Sequence, residues 1–296
     1  MLNSNFIPPL QQITDSFLEK KGVKLFVLRT DLNHSEISGN KLYKLKYNIE
    51  EAKNQNKNTL LTFGGAFSNH IAATAAAGKI AGMNTIGIIR GDELPQLNPT
   101  LRLAKENGMQ LYFVSREVYR NKDELNNYVH KTFNNNCYII PEGGSNKLGV
   151  KGCTKIVEEI KIPFDYICCP CGTGATLSGI VLSLKEQQQA IGFQVLKAEH
   201  YIHNEVKHWL AQFDAHKSNW QVNEDYHFGG YAKCNDKLKQ FTVDFKKQYN
   251  IPLDYVYTAK MIYGIFELIK KDFFRPETTI IAIHTGGLQG NNGFQD

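Results

Sequence analysis

The sequence predicts an α/β protein built on open, mostly parallel, twisted sheets flanked by helices. Three observations carry that prediction. The strand candidates are short, continuously apolar runs, as in strands buried on both faces. They alternate with segments whose apolar residues recur at helical spacing. Glycine clusters follow the strands, at Gly64-Gly65, Gly143-Gly144, Gly172 to Gly174 and Gly286-Gly287, on the side where open parallel sheets bind ligands.

Taken in order, "VKLFVLRTDL" is β-branched and apolar and predicts a strand, and "NKLYKLKYNIEEAKNQ" predicts a helix through Leu42, Leu45, Ile49 and Ala52. "NTLLTFGG" predicts a buried strand, and "FSNHIAATAAAGKIAG" a small-residue helix able to pack closely. "MNTIGIIRG" and "QLYFVS" predict strands around the helix "NPTLRLAKENG", which has a glycine stop. "DELNNYVHKTF" predicts a helix, "NCYIIPEGG" a strand and turn, and "KGCTKIVEEIK" a helix. "FDYICCPCGTG" predicts a strand running into glycines, followed by the helix "ATLSGIVLSLKEQ" and the strand "FQVLKAEHY". "DKLKQFTVDFKKQYN" and "YTAKMIYGIFELIKK" predict helices, and "TTIIAIHTGG" a last strand. No repeat or low-complexity linker interrupts the series.

The 296 residues suffice for one large domain or two moderate ones. Apolar residues at 42% and charged residues at 21% are ordinary for a soluble globular protein. The net charge of +5 is spread along the chain, with no basic block to mark a nucleic-acid partner. No run approaches the ~20 apolar residues of a membrane span. The opening "MLNSNFIPPLQQ" has no basic start and apolar core, so no signal peptide is expected. The six cysteines, Cys137, Cys153, Cys168, Cys169, Cys171 and Cys234, form no regular framework and are expected as reduced thiols in the cytoplasm. Cys168, Cys169 and Cys171 end a strand without a second ligand pair, so no metal site is expected.

Two motifs carry chemistry. In "CPCGTGATLSG", Gly172, Thr173, Gly174, Ala175 and Thr176 lie between a strand and a helix start. Successive backbone N–H groups there can cradle a phosphate, backed by the positive helix end and two hydroxyls. The spacing is neither a Walker loop nor a dinucleotide fingerprint. In "GNKLYKL", Lys41 opens a helix, where positive end charge favours the neutral, nucleophilic amine. A phosphate cup and a candidate nucleophilic lysine together point to pyridoxal 5'-phosphate.

The stretches "GNKLYKL", "AFSNHIAATAAAGKIAG", "PEGGSNKLGVKG", "CGTGAT", "DYVYTAKMIYG" and "HTGG" resemble, in order along most of the chain, the pyridoxal-phosphate enzymes that comprise 1-aminocyclopropane-1-carboxylate deaminase and D-cysteine desulfhydrase, of the tryptophan-synthase-β-like fold type. The resemblance implies Lys41 as the Schiff-base lysine and proton carrier, and Lys44, one turn on, at the phosphate. It implies Gly172 to Thr176 as the cup and Asn69 on the ring hydroxyl. Ser68 and His70 would meet the substrate carboxylate, with Ser68 also near the reacting carbon. Tyr257 and, in the less family-like "DYHFGGYAK", Tyr231 would face the substrate, and Thr258 would meet the pyridine nitrogen. Without the resemblance, Ser68 and Asn69 read as helix caps and Tyr257 as a core aromatic.

The resemblance also implies two domains with the cofactor in the cleft between them. Residues 1–52 and 147–296 would form the larger, and 53–146 a smaller inserted one. A homodimer acting on a small amino acid is expected. The deaminase is expected to carry glutamate at 258 and glutamine at 70. Threonine and histidine here favour α,β-elimination from D-cysteine, because a hydroxyl leaves the ring nitrogen neutral and the electron sink weaker. Cyclopropane ring opening is the first alternative, and a catalytically idle, cofactor-binding regulatory relative the second. Phe67, Ala72 and Ala175 depart from the family pattern, which leaves other D-amino acids or β-substituted alanines open as substrates.

Overall fold

The computed structural model describes residues 6–93, 95–133 and 136–294; the first five residues of the stretch read for a signal peptide lie outside them. In chain order the elements are β1 (Leu10–Ile13), α1 (Ser16–Lys21), β2 (Lys24–Leu28), α2 (Asn40–Asn54), β3 (Thr59–Gly65), α3 (Asn69–Ala81), β4 (Asn84–Arg90), α4 (Pro99–Glu106) and β5 (Met109–Val114). Then come α5 (Arg116–Arg120), α6 (Lys122–Phe133), β6 (Tyr138–Ile140), α7 (Lys147–Cys153), α8 (Lys155–Glu158), β7 (Tyr166–Cys171), α9 (Ala175–Ser183) and β8 (Gln189–Gln194). The chain closes with α10 (Tyr201–Gln212), β9 (Trp220–Asn223), α11 (Asp236–Tyr249), α12 (Thr258–Lys270) and β10 (Thr279–Ile283).

The strands form two sheets. The larger runs β1-β2-β10-β7-β8-β9 and the smaller β5-β4-β3-β6. All neighbouring pairs are parallel except β1 with β2 at the edge. The central strands are buried on both faces, as their continuous apolar runs require: Ile167, Cys168 and Cys169 on β7 and Ile280 to Ile283 on β10 are all fully buried. Two apolar layers flank the large sheet, one centred on α12 and the other on α9 and α10. Among the described residues no helix is long and apolar enough to cross a membrane.

The helix α2, which carries the predicted nucleophile, is held from two sides. Its apolar stripe of Leu42, Leu45, Ile49 and Ala52 packs with Leu60 of β3 and with Ala73, Ala76 and Ala77 of α3. Burying each large member contributes about 1.5–3 kcal/mol. On the other side it meets α7, where a Cβ on Gly152 would stand 1.9 Å from the Tyr43 carbonyl oxygen. Only glycine permits that approach, and α7 meets α9 as closely at Gly179, whose added Cβ would stand 2.5 Å from the Val150 carbonyl oxygen.

Two expectations shift, and five elements are added. The helix expected over "KGCTKIVEEIK" begins earlier and breaks at Thr154 into α7 and α8. The strand expected at "FQVLKAEHY" ends at Gln194 and starts at Gln189, because pairing with β7 and β9 takes in the buried Ala190 and Ile191 before it and the register ends at Gln194. The elements β1, α1, α5, α10 and β9 have no counterpart in the sequence reading. They are short or amphipathic pieces whose burial comes from neighbours distant in sequence.

Candidate active site

A cleft of about 640 Å³ opens where the carboxyl ends of both sheets meet. Its walls come from segments that follow β3, β4, β6, β7, β8 and β10, and from the start of α2. This is the crevice that parallel-sheet topology supplies, and its size suits a small-molecule site.

Lys41 reaches the cleft from the first turn of α2, and its Nζ donates to Asn40 Oδ1 at 2.8 Å. The other end of the Asn40 amide donates to Thr176 Oγ1, also at 2.8 Å, so one side chain ties the lysine to the start of α9. Burial, and then the charge of Lys44, pull the Lys41 amine down to about 7. The sequence reading assigned that effect to the helix end; desolvation and a like charge do it instead. Lys44 is 3% exposed and donates to the Gly143 carbonyl at 2.9 Å, and burial lowers its amine too. Gly39 stands before this turn at φ 72°, ψ −148°. A Cβ on it would lie 1.9 Å from the Thr285 carbonyl oxygen. The base of Lys41 is thus jammed against the turn that leaves β10.

Ser68 caps α3, its Oγ accepting from the Ile71 amide at 3.4 Å, and it also lines the cleft. The cap and the site are the same residue. Asn69 follows in the wall, and its Oδ1 is buried without a partner among the described residues. A Cβ at Gly287 would stand 2.4 Å from Asn69 Nδ2, so the turn after β10 closes directly on this amide. His70 is 2% exposed, with Nε2 2.9 Å from Thr62 Oγ1. The Thr62 hydroxyl donates to the Ile140 carbonyl, so His70 Nε2–H donates to Thr62. Burial and the two lysines hold this imidazole well below its ordinary range, in the neutral form.

Opposite, β7 delivers Cys171 and Gly172 into the loop before α9. Gly172, Thr173, Gly174 and Thr176 line the cleft; Ala175 is fully buried and does not. Gly174 takes φ 74°, turning the chain so that the amino end of α9 points at the opening.

The last wall comes from the segment before α12. Tyr257 and Tyr231 both line the cleft, their rings edge to face at 6.0 Å. Burial first, then Tyr231, raises the Tyr257 hydroxyl well above its usual range, and burial raises Tyr231. Thr258, expected at a pyridine nitrogen, corrects the sequence reading: it is fully buried and does not line the cleft. Its hydroxyl donates to Asp254 Oδ1 at 2.6 Å. The Asp254 carboxylate also accepts from the amides of Val256, Tyr257 and Thr258 at 3.1, 2.8 and 2.9 Å. Asp254 is the one of the pair that reaches the wall.

The structure thus brings together every expected site residue except Ala175 and Thr258. It adds Asn40, Asp254, Thr285 and the mouth residues Arg90, Glu142 and Phe67. Asn40, Asp254 and Thr285 lie inside the quoted motifs "GNKLYKL", "DYVYTAKMIYG" and "HTGG", so the signal was present without a role attached. Glu142 likewise lies inside "PEGGSNKLGVKG", whereas Arg90 carries no local signal, because only the end of β4 brings it to the mouth.

Residues 8–286 match the family model described as pyridoxal-phosphate dependent enzyme. The chain is 31% identical over 299 residues to a bifunctional D-cysteine desulfhydrase/1-aminocyclopropane-1-carboxylate deaminase, mitochondrial, of Arabidopsis thaliana, covering 91% of this chain and 73% of that one. It is 26% identical over 290 residues to a D-cysteine desulfhydrase of Klebsiella pneumoniae, covering 90% and 87%. The crystal structure of an ACC deaminase homologue superposes with a TM-score of 0.82 at 27% identity, covering 97% of this chain and 91% of that one.

The residues fit pyridoxal phosphate. The site offers a lysine amine lowered to about 7, a glycine-rich loop at the amino end of α9, and an asparagine with an unpartnered buried oxygen. Those are the groups that an aldehyde, a phosphate and a polar ring substituent call for.

Proposed function

Because this chain belongs to the pyridoxal-phosphate-dependent enzymes, in the family of 1-aminocyclopropane-1-carboxylate deaminases and D-cysteine desulfhydrases, we propose that it catalyses α,β-elimination from a small amino acid, D-cysteine first. D-Cysteine and water would give pyruvate, ammonia and hydrogen sulfide. When bound, pyridoxal phosphate supplies an electron sink beside the substrate Cα. Lys41 holds the cofactor and moves the Cα proton, for which an amine near 7 is suited. Lys44 and the loop from Gly172 to Thr176 hold the phosphate, and Asn69 the ring hydroxyl. Ser68, Asn69 and His70 take the substrate. Tyr257, kept protonated by burial, donates toward the departing sulfur, with Tyr231 beside it. In this reading residues 53–146 form a smaller domain that closes on the rest around the substrate.

The observation that carries elimination over ring opening is the side chain at 258. It is a hydroxyl locked onto Asp254, so this position aims no carboxylate into the cleft. The Asp254 carboxylate already accepts four hydrogen bonds. A less electron-poor ring suits a reaction whose leaving group carries the electron pair away. The test is to load the protein with pyridoxal phosphate and supply D-cysteine and 1-aminocyclopropane-1-carboxylate separately, with Lys41→Ala as control. Sulfide and pyruvate from D-cysteine are expected, and Lys41→Ala should form neither the products nor the visible band. Formation of 2-oxobutanoate from the cyclopropane substrate without sulfide from D-cysteine would overturn the proposal.

A further inference from the structure

One buried charge takes no part in this chemistry. Lys260, in the first turn of α12, is 1% exposed. It has no carboxylate partner among the described residues. Its Nζ instead donates to two backbone carbonyls, His227 at 2.9 Å and Gly230 at 2.7 Å. Those carbonyls belong to the loop that ends in Tyr231 and Ala232, both in the cleft wall. The loop backbone is unusual: Phe228, Gly229, Gly230 and Ala232 all have positive φ, at 52°, 91°, 113° and 54°. Two of these are not glycine, and such residues hold that conformation only when their surroundings impose it. Lys260 lies three residues after Tyr257, which stands at the cap position just before α12. The start of α12 and its cap residue therefore touch the loop twice, through the ammonium at its carbonyls and through the Tyr257 ring against Tyr231.

We propose that Lys260 is a positioning residue, whose ammonium clamps the 227–232 loop and so holds Tyr231 against Tyr257 over the substrate. The cost of burying this ammonium, which pulls its ionisation down to about 8, is offset by the two charge-assisted bonds. The proposal rests on the elimination reading for the word substrate, but the clamp itself is independent of the reaction.

The experiment compares wild-type holoenzyme with Lys260→Met, Lys260→Gln, Tyr231→Phe and the Lys260→Met/Tyr231→Phe double variant. Hydrogen exchange of the 227–233 amides should quicken by about tenfold or more in Lys260→Met, the worth of about one charge-assisted bond. The visible band of the loaded enzyme should stay as in wild type. With D-cysteine, kcat/KM should fall about tenfold in Lys260→Met, less in Lys260→Gln, and no further in the double variant than in the worse single one. Unchanged loop exchange, or losses that multiply in the double variant, would overturn the clamp. Unfolding by both Met and Gln would also overturn it, because Lys260 would then serve the fold rather than the loop. Wild-type protein that releases no product from D-cysteine would sink the elimination reading alone, since loop exchange still reports on Lys260.

Discussion

Replacing Gly39 with alanine tests whether the base of Lys41 is wedged against the turn after β10. The added Cβ would lie 1.9 Å from the Thr285 carbonyl oxygen, 2.2 Å from its carbon and 2.6 Å from the Gly286 nitrogen. All three are backbone atoms, so no side chain can swing away. An ordinary contact needs about 3.5 Å, so the two segments must part by about 1.5 Å. Overpacking of this kind costs about 1–3 kcal/mol. Holding alanine at φ 72°, ψ −148° costs about 1–3 kcal/mol more. The sum is a loss of about 2–6 kcal/mol. Gly82→Ala is the control: Gly82 has a similar φ of 67° but nothing within 4 Å of an added Cβ, so only the backbone strain, about 1 kcal/mol, remains. Urea unfolding, with the midpoint compared at constant slope, reads both variants. Titration with pyridoxal phosphate at its visible band reads the site, where a shift of about 1 Å is enough to cost ~100-fold in function. The reasoning is refuted if Gly39→Ala unfolds no earlier than Gly82→Ala and loads cofactor like wild type.

Two further expectations follow from the same geometry. The Lys41 amine is pulled down to about 7 from its ordinary value, and only the neutral amine attacks an aldehyde. Capture of pyridoxal phosphate by the unloaded protein should therefore speed up about tenfold per pH unit below 7 and level off above it; stopped-flow absorption that rises steadily to pH 10 would contradict the lowered amine. Asp254→Ala strips the acceptor from three amides and the Thr258 hydroxyl. It should cost about 3 kcal/mol in urea and reduce kcat through Tyr257, whereas Thr258→Val, which removes one donor to the carboxylate and the acceptor of the Asp254 amide, should cost about 1–2 kcal/mol; equal losses would show that the carboxylate does not organise this segment.

Much of the site was legible because its parts are local. A cup at a strand-to-helix turn, a lysine at a helix start and a Ser-Asn cap are each written within a few residues, and Gly172 to Gly174, Lys41, Ser68 and Asn69 all reach the cleft. Thr258 shows where that legibility ends. Its place in "VYT" suggested a side chain facing the ligand, yet the fourfold demand of nearby donors draws the Asp254 carboxylate under the start of α12 and takes the Thr258 hydroxyl with it.

The sequence by itself determined the α/β class, since continuous apolar runs can only be buried on both faces, and it singled out Lys41 and the glycine loop as candidate site residues, since residue type and local turn suffice to mark each. Tertiary structure alone decided which residues share the cleft and what state they hold. The Lys41 amine falls to about 7 through burial and the Lys44 charge, and Lys260 reaches a loop about thirty residues away in sequence. Desolvation and charge depend on what surrounds a group in space, and those surroundings come from strands and helices that no local window contains.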